Sequence, residues 1–295
     1  MKLSKWFEKK GKNKVKIGLA LGGGGARGFA HLGALKAFEE NGITFDEVAG
    51  TSVGSVVAVA YAFGLSSDEM YAEASKLKGS DIRTSKLFFM PSKTEGIENL
   101  VKSLIGDAHF EDLKKPTTVV AVDLITGKEI HITKGSVTKA VAGSCAVPLV
   151  FAPVDFGKYR LVDGGLQNTI PADVLRKNGC KYVISIDINP TRGLGTTGTN
   201  PLEIISSSIG IMMKSNAVKG YVFSDIVIKA DTTQFKSTKL DGAEEMYKIG
   251  YKAAMSVIPK IKELINQKEK SKLSSLFKHN KNHVLKEEDS NIIYE

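Results

Sequence analysis

The sequence predicts an α/β fold built around a largely parallel central sheet. Short apolar segments alternate along the chain with longer segments whose apolar residues recur at helical spacing. Glycine-containing turns follow the first two strands, and each turn leads into a helix, which favours parallel strands joined by crossover helices. The 295 residues are enough for one large core, and nothing marks an internal domain boundary clearly.

The N-terminal half consists of strand–turn–helix repeats followed by a less regular section. Gly22 to Gly25 break the first strand, and Asn41-Gly42 end the helix after it. Ser66 to Glu69 match a capping box at the start of a third helix. Residues 79–110 contain the irregular section and are a candidate lid or substrate-binding loop. The predicted elements are a strand over residues 15–21, a helix over 28–41, a strand at 48–49, and helices over 53–64, 66–78 and 96–105.

The C-terminal half continues the alternation of strands and helices. Pro171 and Gly179 mark the start and the end of one helix, and Asn189 to Asn200 form a loop rich in glycine and threonine. The predicted elements are strands over 117–123 and 129–133, a helix over 136–146, a hairpin of 151–155 and 159–162, a helix over 171–178, a strand over 182–188, a helix from Pro201, an edge strand over 226–229 and a long final helix over 243–267.

The cysteine content and the apolar patterning favour a cytoplasmic protein. Cys145 and Cys180 are too few for a disulfide framework, and no Cys/His spacing suggests a metal site. The N-terminus lacks a signal-peptide pattern. Residues 48–67 carry no charge over the length of a membrane span, but their hydroxyl residues and glycines favour a buried strand and helix.

Positive charge is concentrated at the N-terminus. The net charge is +9, and residues 1–16 contain seven lysines against one glutamate. Leu3, Trp6 and Phe7 recur at helical spacing, so a short helix on an anionic membrane and a solvated, frayed tail are both open. We interpret residues 1–15 as a basic segment, 16–267 as the folded domain and 268–295 as a polar, disordered tail. The folded domain shows no aromatic-interleaved basic patch, which argues against nucleic acid as a partner.

Gly50-Thr-Ser52-Val-Gly54 predicts a nucleophile elbow. The pentapeptide lies between a short strand and a helix, and its two glycines allow the strained turn that exposes the serine hydroxyl. The same pattern also arises by chance in loops rich in glycine and serine, so alone it leaves a structural loop open. Ser52 is the candidate nucleophile.

No histidine is placed by the sequence to act as the base for Ser52. A structural or surface position explains each one better than catalysis does, so a conventional triad is not expected. The five are His31 on the first helix, His109 in a loop, His131 in a strand, and His279 and His283 in the predicted tail.

Asp163 is the better candidate base. It follows a strand directly and precedes Gly164-Gly165, a turn that tolerates close approach by another backbone. The alternative is an Asx turn that stabilises its own loop. A carboxylate with a pKa near ~4 is a weak base toward serine, so it must lie next to the hydroxyl and be partly desolvated.

The glycine-rich loop from Gly22 to Gly28 offers donors for an oxyanion. It lies between a strand and a helix, so successive backbone N–H groups can converge on one anion. Arg27 within it could bind a phosphate headgroup or pair with a carboxylate, and both remain open. A dinucleotide site is the rival interpretation, but its ribose-binding acid should end the second strand, whereas Asp46 and Glu47 precede that strand.

Three motifs in one order, Gly23-Gly-Gly-Ala-Arg-Gly28, Gly50-Thr-Ser52-Val-Gly54 and Asp163-Gly-Gly165, resemble those of bacterial patatin-like phospholipases. Ala142 to Pro148 also look like a segment of that family, and the resemblance covers roughly residues 16–230. It implies a three-layer α/β/α fold and a lipid acyl hydrolase that uses a Ser–Asp dyad without histidine. The resemblance assigns Ser52 as the nucleophile, Asp163 as the base, and Gly23, Gly24 and Gly25 as the oxyanion hole.

The resulting expectation is a serine esterase that acts on phospholipids or lysophospholipids and needs neither metal nor cofactor. Arg27 is its candidate substrate-binding residue, and a cytoplasmic location, or a peripheral one at the inner face of the membrane, is expected. The alternative is a membrane-surface binding or regulatory protein with a vestigial hydrolase site.

Overall fold

The computed structural model of the chain describes residues 15–78, 91–190, 200–237 and 239–266. Contacts divide the chain into a unit of Lys16–Ile258 and a second unit of residues 1–15 and 259–295, of which residues 259–266 are helical. The basic segment at 1–14, the tail from 268 and residues 79–90 of the candidate lid lie outside the described residues. The assignment of separate roles to the two chain ends therefore stays a prediction.

One mixed sheet forms the centre of the Lys16–Ile258 unit. Among the described residues its strand order is β5-β6-β3-β2-β1-β7-β8, and β4 pairs with β3 beside this path. The strands β3, β2, β1, β7 and β8 run parallel, whereas β4, β5 and β6 are joined by antiparallel pairs. The predicted, largely parallel sheet is confirmed. The strands are β1 (Lys16–Leu21), β2 (Glu47–Thr51), β3 (Thr117–Asp123), β4 (Glu129–Ile132), β5 (Val154–Phe156), β6 (Tyr159–Asp163), β7 (Cys180–Asp187) and β8 (Ile226–Lys229).

Helices cover both faces of this sheet, so the three-layer arrangement is also confirmed. Ala49 of β2 packs on one face with Leu175 and Ala217. Val119 of β3 lies on the other face, in a cluster with Val56 and Val101. The helices are α1 (Phe29–Glu40), α2 (Val53–Phe63), α3 (Ser67–Ala74), α4 (Glu95–Ile105), α5 (Val137–Ser144), α6 (Ala172–Lys177), α7 (Pro201–Val222) and α8 (Ala243–Met255).

Apart from shifts in the bounds of several elements, the final helix and the candidate lid differ from the prediction. The final helix is not continuous over 243–267, because α8 ends at Met255 and residues 256–257 form a turn. Pro259 accounts for the break, since proline has no N–H for the carbonyl four residues earlier and disfavours helical geometry in the residue before it. The candidate lid is only partly free of the core, since Ile97, Val101 and Ile105 of α4 are buried in it.

The parallel strands bring the predicted motifs to one edge of the sheet. The glycine-rich loop follows β1 and Ser52 follows the adjacent strand β2, so both lie at the carboxyl ends of neighbouring strands. This edge is where open α/β sheets place their ligands. The uncharged segment 48–67 forms β2 and α2, and no helix within the described ranges is long and apolar enough to cross a membrane.

Candidate active site

Ser52 sits on a sharp turn between β2 and α2 with its backbone at φ 52° and ψ −132°. This positive φ is costly for a residue other than glycine and is typical of a nucleophile elbow. Glycine is required at positions 50 and 54, because other backbone groups lie too close to leave room for a side chain. A Cβ at Gly50 would collide with the Gly54 carbonyl, and one at Gly54 would collide with the Leu21 carbonyl.

Ser144 holds the elbow from the neighbouring helix α5. The Ser52 N–H donates to Ser144 Oγ at 2.9 Å, and the Ser144 hydroxyl donates to the Val120 carbonyl at 2.6 Å. Both hydrogen bonds are buried, so Ser144 satisfies two backbone groups at once. The sequence places Ser144 within Ala142–Pro148 but gives no signal of this long-range contact.

Ser144→Ala is expected to lower the free energy of unfolding by about 1–3 kcal/mol, because it removes two buried hydrogen bonds and leaves the Ser52 N–H without a partner among the described residues. Hydrolysis should also fall, on the order of tenfold, because the elbow loses the contact that fixes it. Chemical denaturation and kcat/KM on a soluble ester measure the two effects. Ser256→Ala, whose exposed hydroxyl donates to the Ala253 carbonyl, is the control. An unchanged denaturation midpoint in Ser144→Ala would contradict this role.

Asp163 ends β6 and is fully buried beside Ser52. Its Oδ1 accepts the Gly165 N–H at 2.8 Å, whereas Oδ2 has no hydrogen-bond partner of good geometry within the described residues. Burial raises the pKa of Asp163 to about 6, although the Gly165 N–H and the nearby Ser52 hydroxyl both lower it. Asp163 therefore both accepts a hydrogen bond within its own turn, from the Gly165 N–H, and lies next to the Ser52 hydroxyl. A carboxylate with this pKa is a stronger base than an exposed aspartate.

The glycine-rich loop lies against Ser52, but its three central glycines differ. A Cβ at Gly23 would be 3.3 Å from Ser52 Cβ, and the Gly23 N–H donates to the Thr169 carbonyl at 3.1 Å. The N–H groups of Gly24 and Gly25 donate to no acceptor among the described residues. The geometry thus departs from the expectation for Gly23, whose N–H is already engaged, and leaves Gly24 and Gly25 as the free donors.

Arg27 is buried and anchors the loop to a distant segment. Its Nε and Nη2 donate to the Phe235 carbonyl at 2.9 and 2.7 Å, and its Nη1 donates to Asn189 Oδ1. Burial lowers the pKa of Arg27, and the Asp231 carboxylate opposes that shift. Of the two roles left open by the sequence, these contacts favour the structural one over an exposed headgroup ligand.

None of the described histidines is placed to act as the base for Ser52. His31 is buried, and its Nε2 lies 2.8 Å from the Gly22 carbonyl. Burial lowers the pKa of His31 to about 4, so the ring is neutral and its Nε2–H supports the glycine-rich loop. His131 Nε2 lies 2.6 Å from Glu129 Oε1. The backbone N–H of His109 donates to Asp112. His279 and His283 lie outside the described residues.

A polar network beneath the elbow joins four segments of the chain. The Thr51 hydroxyl donates to the Asn168 carbonyl at 2.8 Å, directly before Ser52 in sequence. Asn168 Nδ2 donates to Glu129 Oε1 at 2.8 Å and to Asp173 Oδ1 at 2.7 Å. Lys219 of α7 pairs with the same two carboxylates at 3.1 and 2.9 Å. The sequence did not reveal this network, because its members are far apart along the chain.

The network holds Glu129 in its ionised form. Burial alone would raise the pKa of Glu129, but hydrogen bonds from His131, Asn168 and Lys219 lower it to about 2. Because this folded-state pKa lies below the ordinary value of 4.5, the contribution of Glu129 to stability is present above pH 4.5 and is lost as the pH falls toward 2.

Lys219→Met is expected to destabilise the protein by about 2 kcal/mol at neutral pH. It leaves Glu129 and the buried Asp173 with fewer cationic partners, and removing one member of a buried ion pair typically costs more than this. Lys177, which also pairs with Asp173 at 3.0 Å, and the partial exposure of Lys219 reduce the effect. Acid unfolding should begin at a higher pH, since the pKa of Glu129 rises. Denaturation curves across pH measure both effects.

The matched control is Lys248→Met on α8. Lys248 pairs with Glu244 four residues earlier on the same helix, and both side chains are largely exposed. No measurable change is expected there. Equal changes in the free energy of unfolding of Lys219→Met and Lys248→Met would contradict a stabilising role for the network.

The described residues contain no group of three or more histidine, cysteine, aspartate or glutamate side chains that could hold a metal ion. Cys145 is buried against the site, and the hydroxyls of Ser52 and Ser55 lie next to its sulfur. Burial raises the pKa of the Cys145 thiol, so this cysteine is a poor nucleophile.

Comparisons with known proteins relate the chain to one family. The patatin-like phospholipase family model matches residues 19–176. An uncharacterised NTE family protein of Mycobacterium tuberculosis is 35% identical over 186 residues, which are 61% of this chain and 32% of that protein. Patatin-like phospholipase domain-containing protein 6 of Mus musculus is 35% identical over 191 residues, which are 58% of this chain and 13% of that protein. The chain thus spans a third or less of these two relatives.

Solved structures show the same fold at low sequence identity. VipD from Legionella pneumophila matches with a TM-score of 0.56 and 14% identity, over 84% of this chain and 67% of VipD. Human GIVD cytosolic phospholipase A2, solved with methyl gamma-linolenyl fluorophosphonate, matches with a TM-score of 0.50 and 10% identity, over 88% of this chain and 59% of that protein.

Proposed function

Because the chain belongs to the patatin-like phospholipase family, we propose that it is a serine esterase that hydrolyses fatty-acyl esters of phospholipids or lysophospholipids. The observation that carries this proposal is the position of Asp163 next to Ser52, which lies on a strained elbow. The buried carboxylate of Asp163 has a raised pKa, and no other described group donates a hydrogen bond to its Oδ2. A family of lipid hydrolases supplies the substrate class, and the site supplies the chemistry.

In the proposed reaction Asp163 takes the proton of Ser52 as the serine oxygen attacks the ester carbonyl. The N–H groups of Gly24 and Gly25 donate to the oxyanion of the tetrahedral intermediate. Collapse of the intermediate breaks the ester bond, and Asp163 returns the proton to the leaving alcohol. Asp163 then takes a proton from water, whose oxygen attacks the acyl carbon of the acyl-enzyme. The bond between that carbon and the Ser52 oxygen breaks, Asp163 returns the proton to the Ser52 oxygen, and the fatty acid is released. Gly23 and Arg27 support this reaction by holding the glycine-rich loop in place.

Release of fatty acid from defined lipids tests the proposal. Purified protein is incubated with phosphatidylglycerol vesicles or lysophosphatidylcholine micelles, and the free fatty acid is measured by mass spectrometry. We expect release from at least one substrate, and none from the Ser52→Ala variant. Equal release by that variant would contradict the proposed nucleophile, and no release from any ester would favour a membrane-binding protein with a vestigial site.

We also propose that the basic segment of residues 1–15 contacts anionic membranes. Seven lysines within residues 1–16 give it the charge for this role. Removal of residues 1–14 should weaken binding to anionic vesicles in a co-sedimentation assay and leave hydrolysis of a soluble ester intact. Vesicle binding that did not change on removal would contradict this role.

A further inference from the structure

Helix α7 carries an apolar stripe on the side that faces away from the rest of the protein. Ile204, Ile211, Val218 and Val222 follow one another at spacings of seven and four residues, so their side chains share one face. They are 47, 51, 59 and 75% exposed. Only Ala217 and Gly220 of this helix are buried.

The opposite side of α7 is attached to the loop that follows Asp163. Asn216 Nδ2 donates to the Gly165 carbonyl at 3.2 Å and to the Leu166 carbonyl at 2.7 Å. The Thr169 hydroxyl donates to the Met213 carbonyl. The Gly165 N–H also donates to Asp163, so this loop is that of the candidate base. Since the loop contacts the opposite side of α7, the apolar stripe lies roughly one helix diameter, about 10 Å, from it.

Two further exposed apolar side chains lie at the edge of the sheet that carries Ser52. Leu124 and Ile125 follow β3, at the carboxyl edge where Ser52 follows β2, and are 53 and 72% exposed. Met255 is also exposed in the described ranges, but it lies on α8 and not on α7. Exposed apolar side chains clustered along one helix face mark a site of interaction.

The stripe is better suited to a lipid surface than to a second copy of the chain. Pairing in a coiled coil requires apolar residues at alternating spacings of three and four along the whole seam. The positions three and four residues after Ile204 and Ile211 instead hold Ser207, Ser208, Lys214 and Ser215. A helix lying on a bilayer needs only one apolar stripe flanked by polar and cationic residues. Lys214 flanks the stripe, and a cation beside an apolar stripe favours an anionic lipid surface.

We propose that the stripe of Ile204, Ile211, Val218 and Val222 docks α7 onto an anionic phospholipid bilayer and brings the lipid ester to Ser52. This inference rests on the proposed function and concerns a surface distinct from residues 1–15. Contact through the stripe is apolar and persists at high salt, whereas attraction through lysines is screened.

The test uses the full-length protein with the triple variant Ile204→Gln, Ile211→Gln and Val218→Gln. Glutamine preserves helix propensity at these exposed positions. Met255→Gln, which removes an exposed apolar side chain from another helix, is the matched control. Co-sedimentation with phosphatidylglycerol vesicles at low and high salt, fatty-acid release from the same vesicles, and hydrolysis of a soluble short-chain ester are measured for each protein.

We expect the triple variant to bind vesicles at least tenfold more weakly at high salt and to release fatty acid correspondingly more slowly. Its kcat/KM on the soluble ester should stay within about twofold of wild type, because the stripe lies outside the catalytic machinery. Unchanged vesicle binding would overturn the inference. A dimeric wild type and a monomeric variant with equal vesicle binding would also overturn it, in favour of a second copy. If wild type hydrolyses no ester, the proposed function fails, while vesicle binding still tests the stripe.

Discussion

Replacing Ser52 by alanine is expected to reduce ester hydrolysis by a factor on the order of 10⁴–10⁶ and to leave the fold intact. Without the hydroxyl no acyl-enzyme can form, and Asp163 has no serine proton to accept. Alanine at position 52 must adopt the same positive φ, so the free energy of unfolding should change little. Ser52→Gly should be more stable than Ser52→Ala, on the order of 1 kcal/mol, because glycine adopts this backbone without strain.

The measurements are kcat/KM on a soluble ester and the midpoint of thermal unfolding. Ser208→Ala is the control, since its exposed hydroxyl donates only to the Ile204 carbonyl of its own helix. Activity in Ser52→Ala within tenfold of wild type would show that another residue is the nucleophile.

Asp163→Asn is expected to abolish activity to a similar extent and to stabilise the protein. Members of a catalytic dyad act as one unit, so loss of the base should cost nearly as much as loss of the nucleophile. The pKa of Asp163 is raised from 3.8 to about 6 in the folded state. The folded state therefore loses stability as the pH rises through this window, because the buried carboxylate must ionise there. Asparagine removes this cost, which is about 3 kcal/mol above pH 6.

Two pH profiles check this account of Asp163. In the wild type kcat/KM should rise with pH and level off above about pH 6, when the carboxylate is ionised. The stability advantage of Asp163→Asn should be present at neutral pH and vanish in acid. A variant that was both inactive and less stable at neutral pH would indicate that Asp163 acts mainly through its contact with the Gly165 N–H.

Local sequence was sufficient to predict the framework of the site. Strand, turn and helix around Ser52 are adjacent in the chain, and the glycines at 50 and 54 report a close approach within the same elbow. The break before Pro259 was also available from the sequence, since proline interrupts a helix by a local mechanism. The helical spacing of residues 243–267 outweighed that signal in the prediction.

Long-range contacts account for what the sequence did not predict. The Gly23 N–H is engaged by Thr169, and Arg27 is buried against Phe235, more than 200 positions along the chain. Ser144 binds the Ser52 N–H from a helix 92 residues away. Residue type alone does not show that a donor is already satisfied, because its partner is set by the topology of the sheet.

Labelling with a fluorophosphonate probe tests the central claim most directly. The purified protein is treated with the probe, digested, and the modified peptide mapped by mass spectrometry. The account predicts one label, on Ser52, absent from Ser52→Ala and lost or greatly slowed in Asp163→Asn. No label on a folded wild-type protein, or a label on another serine, would contradict an activated Ser52–Asp163 pair.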